Sequence, residues 1–145
     1  KRIAIENVSY YAAPFKKLQE IEFINAILDE ADCDLLIDIN NIYVNSINHH
    51  YNAEDFMRLL PKERIVYAHI AGHYNESEDL LVDTHGSDVI DPVWALLKKS
   101  YEYFDVFPTL LERDFNIPEV KKLLEEVGKI KSMQSAHTNE GCRNV

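Results

Sequence analysis

Metal-ligating residue types stand where the apolar runs of this chain end. Ile-Ala-Ile leads to Glu6, and Leu-Leu-Ile leads to Asp38 with Asn41 just beyond. Ile-Val-Tyr-Ala leads to His69, Leu-Leu-Val to Asp83 and His85, and Thr-Leu-Leu to Glu112. Four of these five runs read as buried strands with helix-like segments between them. Carboxylates and imidazoles at the C-terminal ends of parallel strands converge on one face of a barrel, where such enzymes do chemistry. The donors are oxygen and nitrogen, with no thiolate. That set suits iron, manganese, zinc or magnesium, and not a structural cysteine–zinc site. Carboxylates can bridge ions, so more than one metal fits.

Each residue also has a plain structural explanation. Asp83 and His85 alternate on an extended segment and so point the same way, but Asp-Thr-His also suits a turn. Asp38 follows Leu-Leu-Ile, where a carboxylate is costly unless paired, hydrogen-bonded or metal-bound; it could instead cap the loop backbone. Asn41 is a weaker ligand, since Asn is common in turns. Glu6 and Glu112 could be ion-pair partners of Lys1 or Arg113. His69 could be a satisfied core histidine. His73, after Gly72, suits an acid/base or ligand-orienting role, and Asp114 suits orienting a ligand. With Glu6, these two form the catalytic candidates. Tyr10, Tyr11 and Tyr43 would line the pocket or pack at its rim. His49 and His50 suit a surface loop, and His137 takes no role.

The elements that must position these residues alternate strand and helix four times. Strands are expected over 2–6, 34–39, 64–70 and 107–112. The 34–39 run is near-continuously apolar, as in a strand buried on both faces. Residues 18–31 have helical periodicity, and 53–60 form a short helix before Pro61. Asp91-Pro92 opens a helix to about residue 103, and Ile117-Pro118 opens another to about 131. Residues 40–52 read as a long loop and 72–90 as a polar, irregular segment of functional length. Repeated βα units imply a parallel sheet. Four units are half of an eight-stranded TIM-type barrel, so residues 1–131 form a half-barrel domain and 132–145 a polar, frayed tail. No Gly-rich phosphate loop supports an open doubly wound sheet. A half barrel has two unpaired edges, so a missing half closes it, or a second copy of the chain does, or the edges are covered in some other way.

The 145 residues carry a formal net charge of -10, which argues against binding nucleic-acid backbone. No apolar stretch reaches the roughly 20 residues that span a bilayer, and the N-terminus is not a signal peptide. Cys33 and Cys142 are far apart without CxxC spacing, which excludes a disulfide framework or zinc ribbon. The chain reads as cytoplasmic, without a nucleic-acid or membrane partner.

At these residues the chain resembles a known family. IENVSYYAAP, LLIDINNIYVNSINH, AHIAGH, LVDTHGSDVIDPVWAL and PTLLERDFNIP are similar, in order, to the multinuclear non-heme iron-dependent oxidative enzymes. Their relatives are barrels of the xylose isomerase and endonuclease IV type. The similarity spans about residues 1–130 and matches the C-terminal half of a family member. It implies that Glu6 bridges two metals and that Asp38, His69 and Glu112 complete the second. It implies a third held by Asp83 and His85 with help from Asn41. Histidines for the first metal would come from the N-terminal half. The implied cofactor is iron, two or three ions in a complete barrel, with zinc or manganese as alternatives. The implied reaction is O2-dependent oxidation of ribosomally made peptides, often at cysteine, with a partner protein presenting the leader peptide. Two other readings compete: a zinc-, magnesium- or manganese-dependent hydrolase or isomerase, and an inactive half-barrel fragment.

Overall fold

The computed structural model describes residues 1–14 and 17–141, with side chains as far as residue 138. In chain order the elements are β1 (Ala4–Glu6), α1 (Glu20–Glu30), β2 (Asp34–Asp38), α2 (Ile39–Asn48), α3 (Ala53–Arg58), β3 (Ile65–Ile70), β4 (Tyr74–Ser77), β5 (Leu80–Val82), α4 (Asp91–Phe104), β6 (Thr109–Leu111) and α5 (Val120–Gly141). Strands β1, β2, β3 and β6 form one sheet in that order, with every pairing parallel. Strands β4 and β5 form a separate antiparallel hairpin.

Register decides which side chains share a face. Glu6 pairs with Leu36, Asp38 with His69, and His69 with Leu110. Side chains alternate along a strand with period two. Glu6, Leu36, Asp38, Tyr67, His69 and Leu110 therefore fall on one face of the sheet, and Leu35, Ile37, Ala68 and Ile70 on the other. The second face is the core: these four residues are 0% exposed. They join one cluster with Leu28 of α1, Ile42 of α2, Met57 of α3, Leu97 of α4 and Ile130 of α5. The first face is only partly covered; Leu36 and Tyr67 are half-buried and Leu110 is exposed. On that face of β2, expected to be buried on both faces, Leu36 is half-buried and Asp38 is 0% exposed.

Both sheet edges carry exposed apolar residues. Ile3 and Val8 flank β1, and Phe23 projects from α1. Leu110 on β6, Phe115, Ile117, Val120 and Leu124 do the same at the far edge. An open pocket of about 450 Å³ runs between β1 and α1, with Glu6, Leu18 and Phe23 in its lining.

Three expectations change. The loop expected over 40–52 is largely helix α2. Its start is fixed by Asp38, whose Oδ1 accepts from the Asn41 amide at 2.7 Å as an N-cap. Ile39, Ile42 and Val44 are buried along it. The irregular segment 72–90 contains the β4–β5 hairpin. The last helix, expected to end near 131, continues to Gly141, so residues 132–141 of the expected tail are helical. Cys142 and the rest of 142–145 lie outside the described residues.

Candidate metal centre

Glu6, Asp38, His69 and Glu112 each bring one ligand atom to within 4.8 Å of the others. The strand ends do this. Asp38 closes β2 beside His69 of β3, Glu6 closes β1, and Glu112 follows β6 with its amide bonded to the Ile70 carbonyl at 2.9 Å. His69 Nδ1 lies 3.0 Å from Glu6 Oε1 and 2.9 Å from Glu112 Oε2. Only one of these contacts has hydrogen-bond geometry, and Glu112 Oε2 is left without a partner. The hydrogen bond goes to Glu6.

A second group is formed by His85, Glu112 and Asp114. His85 Nδ1 lies 3.4 Å from Glu112 Oε2 and 3.7 Å from Asp114 Oδ2. Its Nε2 lies 2.7 Å from Asp83 Oδ1 and 3.9 Å from Asp38 Oδ2. His85 has φ of 48°, in the left-handed region. Such conformations cluster at functional sites, held by their surroundings. Here the His85 carbonyl is tied to the Asp114 amide at 2.9 Å. Glu112 is the carboxylate common to both groups.

The donor atoms fit a cation better than they fit each other. Asp38 Oδ2, Asn41 Oδ1, His85 Nε2 and Glu112 Oε2 are buried and have no hydrogen-bond partner. The close approach of His85 Nε2 to Asp83 does not have hydrogen-bond geometry. Among the described residues only two other side-chain atoms share this condition, Asn25 Oδ1 and Arg113 Nε. Buried polar atoms left unpaired are rare and costly. Four at one place, all of ligand type, match the oxygen and nitrogen set that holds iron, zinc or manganese.

Asp83 and Asn41 sit beside these groups. Asp83 Oδ2 accepts from Ser9 Oγ at 2.8 Å, and Oδ1 accepts from Asn40 Nδ2 at 2.9 Å. Asn41 Nδ2 donates to the Asn7 carbonyl at 3.1 Å, which leaves its oxygen free. His73 lies behind Asp83. Its Nδ1 contacts Asn40 Oδ1 at 2.7 Å, and its ring faces Tyr43. The Asn40 amide nitrogen is committed to a carboxylate, which only accepts; its oxygen must then accept from a protonated His73 Nδ1. Asp114 is exposed at the rim.

Charge state follows from place. Burial pushes the Asp38 carboxyl up to about 7. Burial pulls His85 down, but the contact with Asp83 and the charges of Asp38, Asp83 and Glu112 outweigh it and raise it to about 9. Burial opposes ionisation of Asp83, yet His85, Ser9 and Asn40 hold it below the ordinary range. Burial lowers His73, with Asp83 opposing.

Sequence reasoning missed the supporting asparagines and serine. Asn7, Asn40 and Ser9 each bond to a candidate ligand residue. A signal was present: Asn7 directly follows Glu6, and Asn40 lies two residues after Asp38. The tyrosines divide. Tyr11 Oη accepts from the Asp83 amide at 2.9 Å, while Tyr10 stacks on His49 at 4.0 Å.

Comparison with known proteins supplies the family. The family described as RiPP precursor modification enzyme MbnB/TglH/ChrH matches residues 1–135. A UPF0276 protein of Shewanella loihica is 62% identical over 92% of this chain and 50% of its own length. One of Nitrosospira multiformis is 56% identical over 97% of this chain and 50% of its own length. One of Acinetobacter baylyi is 50% identical over all of this chain and 51% of its own. The chain spans about half the length of the curated relatives it matches, and it belongs to the family of RiPP precursor modification enzymes MbnB/TglH/ChrH.

Proposed function

We propose that this chain supplies the metal-binding half of a TIM-barrel enzyme that oxidises ribosomally made peptides with O2, at cysteine. One observation carries the reading: Glu6, Asp38, His69 and Glu112 converge within 4.8 Å in a chain of a peptide-modifying family. Iron bound there would supply O2 activation and one-electron oxidation chemistry. Glu6, Asp38, His69 and Glu112 would hold one ion. His85 would hold another, with Asp83, Asn41, Glu112 and Asp114 as its available oxygen donors. Glu6, on the edge strand, would reach to a further ion completed by histidines from outside this chain.

The residues divide by exposure. Asp38 forms the buried floor, while Glu6 and Asp114 stand on the open side where a peptide thiol can approach. Asp114, exposed at the rim, would take a substrate proton when it is not ligating. His73 acts through Asn40 to fix Asp83. The exposed apolar edges support closure by a missing N-terminal half barrel or by a second copy. The remaining partners are the peptide substrate and a protein that presents its leader. An unpaired buried Cys33 is in keeping with a cytoplasmic enzyme.

The test is metal analysis of the anaerobically purified longer protein, with O2 uptake measured on a cysteine-containing peptide. Iron, with O2 consumption that needs the cysteine, is expected. Zinc without iron and no O2 uptake would favour a hydrolase or isomerase instead. Light scattering on this chain tests closure, since a stable monomer would sink closure by a second copy.

A further inference from the structure

Asn7 lies one residue beyond Glu6 and is 2% exposed. Its side chain closes a two-bond ring with the backbone of Asp38. Asn7 Oδ1 accepts from the Asp38 amide at 2.8 Å, and Asn7 Nδ2 donates to the Asp38 carbonyl at 3.0 Å. Strand β1 ends at Glu6, so this amide continues the β1–β2 ladder one step further with a side chain in place of backbone. The two strand ends therefore stay together at the point where both carboxylates leave the sheet.

The Asn7 carbonyl has a separate task. It accepts from Asn41 Nδ2 at 3.1 Å. An amide oxygen can ligate a cation and an amide NH2 cannot. The bond to Asn7 fixes the Asn41 amide with nitrogen toward Asn7, leaving Oδ1 buried and unpartnered. Asn7 thus bonds directly to two candidate ligand residues and adjoins a third.

We infer that Asn7 is a positioning residue: its amide locks Asp38 to the end of β1, and its carbonyl sets the Asn41 amide. The inference rests on the metal-centre reading above. Partners that orient metal ligands change affinity by roughly 10–100-fold when removed. Asn45 provides the contrast. It is fully buried and bonds to the Val8 carbonyl and Tyr10 amide of the loop after β1 and to Glu20 at the start of α1, but it bonds to no candidate ligand.

The experiment titrates Fe(II) anaerobically into the full chain and compares wild type, Asn7→Ala, Asn7→Asp and Asn45→Ala at a temperature where circular dichroism shows each folded. Co(II) absorption reports the ligand geometry. Asn7→Ala is expected to weaken Fe(II) binding by about 10–100-fold and to alter the Co(II) spectrum. Asn45→Ala should keep wild-type affinity and spectrum although its melting temperature falls. If Asn7→Ala does not fold, Asn7→Asp decides. It keeps the shape and one acceptor but loses the bond to the Asp38 carbonyl, and should still bind more weakly than wild type. Wild-type affinity and spectrum in the Asn7 variants, or equal losses in Asn7→Ala and Asn45→Ala, would overturn the inference alone. A wild-type chain that takes up no Fe(II) would overturn the metal-centre reading and this inference with it.

Discussion

Asp38 serves two ends that oppose each other. One oxygen caps α2, and the other is buried without a partner. Asn at this position keeps the cap acceptor and removes the buried charge. Asp38→Asn is therefore expected to leave the melting temperature of the metal-free chain unchanged or higher, while Fe(II) binding falls at least tenfold. Differential scanning calorimetry and metal titration separate the two effects. Asp38 and His85 also set a pH dependence. Both are raised, from 3.8 to about 7 and from 6.5 to about 9. Each contributes stability that is fully present below its ordinary value and lost as pH rises through the folded value. The metal-free chain should thus lose stability in urea as pH rises through these two values. Metal requires both groups unprotonated, so Fe(II) affinity should rise over the same window, with proton release. Calorimetry in buffers of different ionisation enthalpy would register that release, and pH-independent affinity would contradict these proton assignments.

At the level of elements, the site depends on how β3 meets the segment carrying His85. Gly72 follows β3, and a Cβ there would meet the Ser87 and Asp88 carbonyl oxygens at 2.2 and 2.4 Å. Backbone cannot yield as a flexible side chain does. Gly72→Ala is expected to cost about 2–3 kcal/mol in urea unfolding. It should also weaken the His85 group more than the Glu6 group, because it pushes β3 from the 83–88 segment. The four parallel strands were legible because their apolar runs are short and end in charged residues. Helix α2 was not. Asn40, Asn41, Asn45 and Ser46 read as loop residues, yet all four are buried, and Asn40 and Asn41 are committed to side-chain bonds around the site. The polar composition that hides the helix is what builds the ligand support. The β4–β5 hairpin was hidden for a different reason: β4 is exposed along its length, so no alternating pattern marks it.

Across the whole molecule, one face of a parallel sheet is sealed by helices and the opposite face presents the candidate ligands. The ligand-bearing face and both sheet edges leave apolar residues in solvent, and the chain covers 50% of the length of its Shewanella loihica relative. Which residues share the face was readable from strand parity, and the family was readable from the ligand-bearing segments. That Glu112 joins two groups was not, because it depends on His85 turning back through a left-handed residue. This shared carboxylate offers the most direct test of a multinuclear centre. Iron per chain should be counted after anaerobic Fe(II) loading and desalting, for wild type and for Glu112→Gln. Two ions are expected in the wild type, one for each group, and Glu112→Gln should lower the count by more than one. An unchanged count in Glu112→Gln, or no retained iron in the wild type, would contradict it.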